Sequence, residues 1–169
     1  GKASGYCKGK GGSMHIADVD AGILGANGIV GGGICIATGA GLSAKVRGSD
    51  QVCVCFFGDG GFNQGVLYES ANIAALWKLP VVYVIENNRY AMGTAITRSS
   101  AETNLSRRGL SFNIPGEQVD GMDVRAVKAA GDKAVAWCRA GKGPYILEML
   151  TYRYRGHSMS DPAKYRSKD

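Results

Sequence analysis

Two short apolar runs, each cut off by polar residues and joined by a helix-length segment, constrain the fold of this sequence more than any other feature. Val52-Cys53-Val54-Cys55-Phe56-Phe57 is continuous, of strand length, and stops at Gly58-Asp59-Gly60-Gly61. A run without polar alternation suits a strand covered on both faces. Val81-Val82-Tyr83-Val84-Ile85 is a second such run, stopped at Glu86-Asn87-Asn88. Between them, Gln64 to Lys78 has helical spacing, with Val66, Ser70, Ile73 and Trp77 along one stripe. Strand, helix, strand is the unit that builds parallel sheets, whose ligand sites lie beyond the strand ends. The 26 residues separating Gly60 from Asn87 fit one crossover helix plus a strand, which predicts both polar tips at the same edge of the sheet.

The remaining chain fits this α/β reading, a mainly parallel sheet flanked by helices. Residues 1 to 28 are loop-like, rich in Gly and Lys. From Gly31 to Lys45 a helix is expected against the sheet, with Ala37, Gly41 and Ala44 as its close-contact face and Ile34, Ile36 and Leu42 supplying bulk. Residues 91 to 121 show little period and read as a long surface or ligand loop, with Pro115-Gly116 a turn inside it. Asp123 can cap a helix whose stripe runs Val124, Val127, Gly131, Ala134 and Cys138. Arg139 suits the negative end of that helix, and Gly141 its termination. Tyr145 to Leu150 is a third strand, followed by polar residues from Thr151 to Asp161. No repeat or linker divides the sequence, which reads as one domain over residues 1–169.

Composition narrows the function classes. Glycine is 26 of 169 residues, about twice the usual ~7%, but without the three-residue period of collagen. Lys and Arg outnumber Asp and Glu by 20 to 14. This excess comes without zinc-finger spacing, an RNP-like strand or a long basic helix, so no nucleic-acid partner is expected. Its denser stretches are Lys2 to Lys10, Arg107-Arg108 and Arg153 to Lys168. Ala21 to Ala44 is 24 residues without a charge, but eight are glycine, which favours a closely packed buried helix over membrane insertion. Five cysteines without a C-x-x-C pair argue for reduced thiols in a cytoplasmic or matrix-like compartment.

Asp59, between glycines at a strand end, can bind a hard cation through oxygen while the glycines let a ligand approach. Gly-Asp-Gly is also a common turn former. With Asn87-Asn88 at the neighbouring tip, a carboxylate, an amide oxygen and a backbone carbonyl can face one Mg2+ whose other positions go to water or phosphate. The run from Gly9 to Gly12 is not a P-loop, and Gly25 to Gly33 misses the dinucleotide fingerprint.

Gly58-Asp59-Gly60, the interval and Asn87-Asn88 resemble the thiamine diphosphate motif. Gly9 to His15, Asn27 to Gly31, Ala74 to Pro80, Glu86 to Tyr90, Val119 to Asp123 and Tyr152 to Pro162 resemble the alpha subunit of the pyruvate dehydrogenase decarboxylating component. The resemblance implies the thiamine diphosphate-binding fold and a subunit that holds the diphosphate end of the cofactor. By similarity, Asp59, the Asn88 side chain and the Tyr90 backbone oxygen are Mg2+ ligands, and Gly60 and Gly61 lie against the diphosphate. Gly28 and Val30 correspond to backbone contacts with the aminopyrimidine ring. His157 matches a phosphate-contacting histidine and His15 a residue near the active-site entrance, so both are candidate catalytic residues. Each can also be an ordinary loop histidine. Ser158 and Ser160 lie in a loop matching the phosphorylated loop of mitochondrial relatives, which makes Ser158 a candidate regulatory site. The serine that those relatives carry before the matching tyrosine is missing here, at Ala163-Lys164-Tyr165.

The implied reaction is oxidative decarboxylation of pyruvate, a 2-oxoacid, with acetyl transfer to a lipoyl-bearing acyltransferase, in an alpha2-beta2 heterotetramer. The glutamate that activates the cofactor belongs to the beta subunit in this family, so Glu69, Glu86, Glu102, Glu117 and Glu148 are not assigned that role. Ile16 to Asn27 looks more like acetoin dehydrogenase alpha subunits, whereas residues 86 to 169 pull toward pyruvate. A noncatalytic assembly or regulatory protein of the same fold is a third reading. Upstream family contacts to phosphate fall before Gly1, and the sequence stops within a loop, so a domain trimmed at both ends is expected. The resemblance implies a bacterial cytoplasm first and a mitochondrial matrix second.

Overall fold

The computed structural model describes residues 1–166. Lys168, the last cation of the basic C-terminal stretch, lies outside the described residues. After the N-terminal loops comes helix α1 (Gly32–Val46), then strand β1 (Cys53–Gly58), helix α2 (Gly65–Leu76) and strand β2 (Val81–Asn87). A small antiparallel ribbon, β3 (Tyr90–Ala91) with β4 (Thr94–Ala95), leads into the single turn α3 (Ile96–Ser99) and a 3-10 segment, Leu105–Phe112. Strand β5 (Gly116–Asp120), helix α4 (Val124–Arg139) and strand β6 (Tyr145–Leu150) follow. The main sheet has the order β1-β2-β6-β5, and every pair in it is parallel.

The central strand is β2, buried on both faces as its uninterrupted apolar run predicts. Tyr83 and Ile85 join Ile34, Leu67 and Ile146 under α1, α2 and the 3-10 segment. Val82 and Val84 join Ala134, Cys138 and Leu147 under α4 on the other face. Each buried Val, Leu or Ile among them contributes roughly 1.5–3 kcal/mol over its exposed state. The Tyr83 hydroxyl, pushed up to about 12 by burial, shares a 2.8 Å hydrogen bond with Thr38 Oγ1 of α1. A polar group inside the core is thereby satisfied.

Several expectations change. The β1 run is not covered on both faces: α4 packs over β2, β5 and β6, which leaves Val54 and Phe56 of the edge strand exposed. On α1 the bulk comes from Ile34 alone, because Ile36 and Leu42 point outward. The buried stripe of α2 is Leu67, Ser70, Ala71 and Ala74, displaced from the expected line, with Ile73 and Trp77 on the rim. Residues 91 to 121 are not one loop but contain most of the ribbon, the turn α3, the 3-10 segment and β5, and Gly116 opens a strand where a turn was expected. A Cβ on Gly116 would meet the Ser106 carbonyl oxygen, so the entry to β5 has room only for glycine.

Helix α4 is N-capped by Asp123, whose Oδ1 accepts a 2.9 Å bond from the Arg125 amide, and it stops before Gly141 at φ 69°. Its buried face is Ala130, Ala134 and Cys138, with Val124 exposed. Among the described residues no helix is long and apolar enough to cross a membrane.

Two glycines of α1 are expected to respond in opposite directions. A Cβ on Gly41 would lie 2.5 Å from Val81 Cγ2 in the packed core, whereas one on Gly39 would meet nothing within 4 Å. Gly39→Ala should stabilise by about 0.5–1 kcal/mol through helix propensity, and Gly41→Leu should destabilise by about 1–3 kcal/mol through overpacking. Denaturant melts of the two variants check both signs.

Candidate functional site

Parallel pairing decides where the polar residues emerge. Gly58 pairs with Glu86, so the chain leaves β1 and β2 side by side at the same end of the sheet. A Cβ on Gly60 would sit 2.5 Å from Ala91 Cβ, which shows how closely the segment after β1 lies against the ribbon after β2. Gly60 is therefore explained by this packing. Gly58 is not, since a Cβ there would meet nothing within 4 Å, and the Gly61 position has only ordinary contacts.

Asp59 is only 4% exposed. Burial pushes its carboxyl above the ordinary 3.8; its own backbone N–H and the Arg153 guanidinium pull it back, and the Glu148 charge pushes it further up. Asn88 Oδ1 accepts the Tyr90 amide at 3.2 Å. The Tyr90 carbonyl accepts a 2.6 Å bond from Arg153 Nη2, which leaves it a second lone pair. Between Asn88 and Tyr90, Arg89 takes a left-handed conformation at φ 70°, and Asn87 Oδ1 holds its amide at 2.9 Å. Carboxylate, amide and carbonyl oxygens are the donors a small hard cation takes. Among the described residues no group of three or more His, Cys, Asp or Glu side chains forms a metal cluster, so an ion here would depend on those neutral oxygens.

Two helix N-termini reach the same end. Gly31 caps α1 at φ 81°, and a Cβ there would lie 3.0 Å from Cγ of Gln64, the N-cap of α2; neither cap is made by a side chain. Their N–H groups and dipoles favour an anion. Val30 packs beside this junction, its Cγ1 3.7 Å from a Cβ placed on Gly61. Gly28 lies beside the turn Ser13–His15, with Met14 Cε at 3.1 Å and His15 Cε1 at 4.0 Å from its added Cβ. The imidazole of His15 is exposed.

The segment after β6 is tied to this end of the sheet by a residue the motif reading missed. Arg153 donates through Nη1 to the Met92 carbonyl at 2.6 Å and to the Tyr165 hydroxyl at 3.1 Å. That hydroxyl donates to Asp161 Oδ2, which also accepts the His157 amide at 2.6 Å, while Oδ1 accepts the Ala163 amide. The His157, Ala163 and Tyr165 donors hold the Asp161 carboxyl below its ordinary 3.8. His157 and Ser158 themselves are exposed, with Ser158 Oγ 3.0 Å from Ser160 Oγ. Arg153 showed only within the Tyr152 to Pro162 resemblance and a basic stretch, with no role assigned to it; which carbonyls it reaches had no local signal.

A parallel α/β sheet with carboxylate, amide and carbonyl oxygens and two helix N-termini at the ends of neighbouring strands has the architecture in which ligands bind outside the carboxyl ends of the strands. The family described as "Dehydrogenase E1 component" matches residues 1–169, and this chain belongs to it. It is 64% identical over its full length to the pyruvate dehydrogenase E1 component subunit alpha of Rhizobium meliloti (strain 1021), covering 49% of that protein. Identity to the same subunit of Zymomonas mobilis subsp. mobilis (strain ATCC 31821 / ZM4 / CP4) is 56%, over all of this chain and 48% of the relative. The alpha subunit of acetoin:2,6-dichlorophenolindophenol oxidoreductase of Bacillus subtilis (strain 168) is 52% identical, again over the whole chain and 51% of the relative. The chain thus spans about half the length of the curated relatives it matches.

The raised Asp59 pKa has a definite sign. Between its ordinary 3.8 and its higher folded value the native state holds more protons, so stability falls as pH rises through that window and the full penalty is present at neutral pH. Asp59→Asn should therefore raise Tm at pH 7 without divalent cation, and the gain should shrink as pH falls and vanish below the ordinary 3.8. Asp161 has the opposite sign: its contribution is present above the ordinary value and lost as pH falls through the lowered one. Asp161→Asn should speed amide exchange at His157 and Ala163 without changing exchange in β2.

Proposed function

We propose that this chain supplies the cofactor-binding region of the alpha subunit of a pyruvate dehydrogenase (acetyl-transferring) E1 component. The observation that carries the reading is the buried Asp59 carboxylate at one strand tip beside Asn88 and the Tyr90 carbonyl at the next, with two helix N-termini converging there. These residues fit Mg2+ and thiamine diphosphate. Asp59, Asn88 Oδ1 and the Tyr90 carbonyl would hold the metal, Gly60 and Gly61 would admit the diphosphate, and His157 would meet a phosphate oxygen. A cation between Asp59 and a diphosphate offsets charges that otherwise repel in a poorly hydrated cleft. Gly28, next to His15, and Val30, beside Gly61, would face the aminopyrimidine ring through their backbones. When bound, thiamine diphosphate supplies the electron sink that lets a 2-oxoacid lose carbon dioxide. This chain's own part is to bind and orient that group; His15, exposed beside Gly28, would meet substrate.

The partners are a beta subunit in an alpha2-beta2 assembly and a lipoyl-bearing acyltransferase. Exposed apolar side chains, including Ile36, Val46, Phe56 and Leu76, support a subunit surface. Five free thiols support a reducing, cytoplasmic setting. Ser158, exposed beside His157, is accessible to modification; a phosphate there would place negative charge close to the diphosphate position. Acetoin is the second substrate reading. The Bacillus subtilis acetoin relative, at 52%, is as similar as the pyruvate dehydrogenase subunit of Rickettsia felis (strain ATCC VR-1525 / URRWXCal2), also 52%.

Calorimetric titration of the full-length protein, assembled with its beta subunit, tests the reading. Wild type should bind thiamine diphosphate only with Mg2+, and Asp59→Ala should weaken binding by roughly 100-fold, ~3 kcal/mol. Wild type that binds no thiamine diphosphate even with Mg2+ would turn the reading toward a noncatalytic protein of the same fold. Lipoate-coupled turnover on pyruvate against acetoin decides the substrate.

A further inference from the structure

Glu148 lies in the middle of β6, between Leu147 and Met149, and is fully buried at 0% exposure. No Lys or Arg pairs with it among the described residues. Three neutral N–H donors surround it instead. Asn87 Nδ2 donates to Oε1 at 2.6 Å, while the Ser106 amide at 2.9 Å and Gln118 Nε2 at 3.1 Å donate to Oε2. Burying an unpaired carboxylate is expensive, and a core this apolar has no packing need for one.

The hydrogen bonds show what it organises. Asn87 spends its Nδ2 on Glu148 and its Oδ1 on the Arg89 amide, and its carbonyl accepts the Thr151 amide at 3.0 Å. Both polar atoms of the Asn87 side chain are thus bonded within the chain, which holds the side chain in one orientation. The Arg89 bond stabilises the left-handed step that turns the chain between Asn88 and Tyr90. Ser106 and Gln118 bring the 3-10 segment and β5 onto the same carboxylate.

We propose that Glu148 is a positioning residue for the cation site, clamping Asn87 so that the turn from Asn88 to Tyr90 presents its oxygens beside Asp59. The proposal rests on the reading of Asp59, Asn88 and Tyr90 as metal ligands. An amide at position 148 keeps the size of the side chain but offers one oxygen in place of two, leaving at least one of the three donors facing an NH2 group.

The test uses the full-length protein assembled with its partner subunit and two readouts. In Glu148→Gln, calorimetric Mg2+ affinity in the presence of thiamine diphosphate should fall about 10–100-fold, as for other groups that orient metal ligands. Without cofactor or metal, amide exchange at Arg89 and Tyr90 should quicken at least about tenfold while exchange at Cys55 and Tyr83 is unchanged, the pattern of a local opening. Asn87→Ala, with Glu148 intact, should reproduce both effects, and the double variant should be no worse than either single one. Asn87→Ala, which leaves position 148 untouched, keeps the proposal testable if Glu148→Gln does not fold. Unchanged cation affinity in both single variants would overturn the proposal, and so would exchange that quickens evenly through the sheet. Wild type that binds no Mg2+ while the local exchange pattern holds would overturn the metal-ligand reading, and with it the purpose assigned to the clamp.

Discussion

Two carboxylates, Asp59 and Glu148, are buried near one end of a parallel sheet, and the arrangement around them governs that whole end of the molecule. One arginine and a set of neutral N–H groups answer them. Desolvating a carboxylate is costly unless donors are already oriented toward it, so each nearby element is committed to a particular placement. Asn87 must face Glu148, Ser106 must enter at the 3-10 segment, and Gln118 must lie beside β6. A one-residue slip of β2 or β6 would send Asn87 or Glu148 to the α4 face, away from the others.

The helices serve the same end in another way. α1 and α2 approach one another at Gly31 and Gln64, and the absence of a side chain at Gly31 allows that contact. Their N-termini bring partial positive charge to a region where Asp59 brings negative charge, a combination suited to a metal and an anion bound together. The segment after β6 joins through Arg153, which binds the carbonyls of Tyr90 and Met92 and reaches Asp161 through Tyr165. The position of His157 is thereby coupled to the ribbon that follows β2.

Much of the fold was legible because the apolar runs of β1, β2 and β6 are uninterrupted and the α4 cap is a local signal. The misplaced stripes on α2 and α4 share one cause: both helices bury small residues, Ala71 and Ala74 or Ala130 and Ala134, while large ones such as Trp77 and Val124 stay at the rim. A reading weighted toward bulk follows the wrong line when the helix must approach a sheet closely. β5 escaped because Gly-Glu-Gln-Val-Asp has no apolar run, being an edge strand with polar residues exposed. Glu148 did carry a signal, an acid inside Tyr-Ile-Leu-Glu-Met-Leu. A charge that interrupts a buried strand asks for a polar partner elsewhere in the fold.

The sequence by itself determined the parallel unit and its polar tips, because strand length, crossover length and the breaking residues are all local properties of the chain. It also marked Asp59 and Asn88, since polar residues that end buried strands must emerge at a sheet edge. Tertiary structure alone decided that Asn87 turns inward to Glu148, that Arg153 bonds to the Tyr90 carbonyl, and that Val54 and Phe56 stay exposed on the face of β1 that α4 does not reach. Those outcomes depend on which distant groups arrive within hydrogen-bond or packing distance, and no local pattern encodes distances between residues 60 or more positions apart.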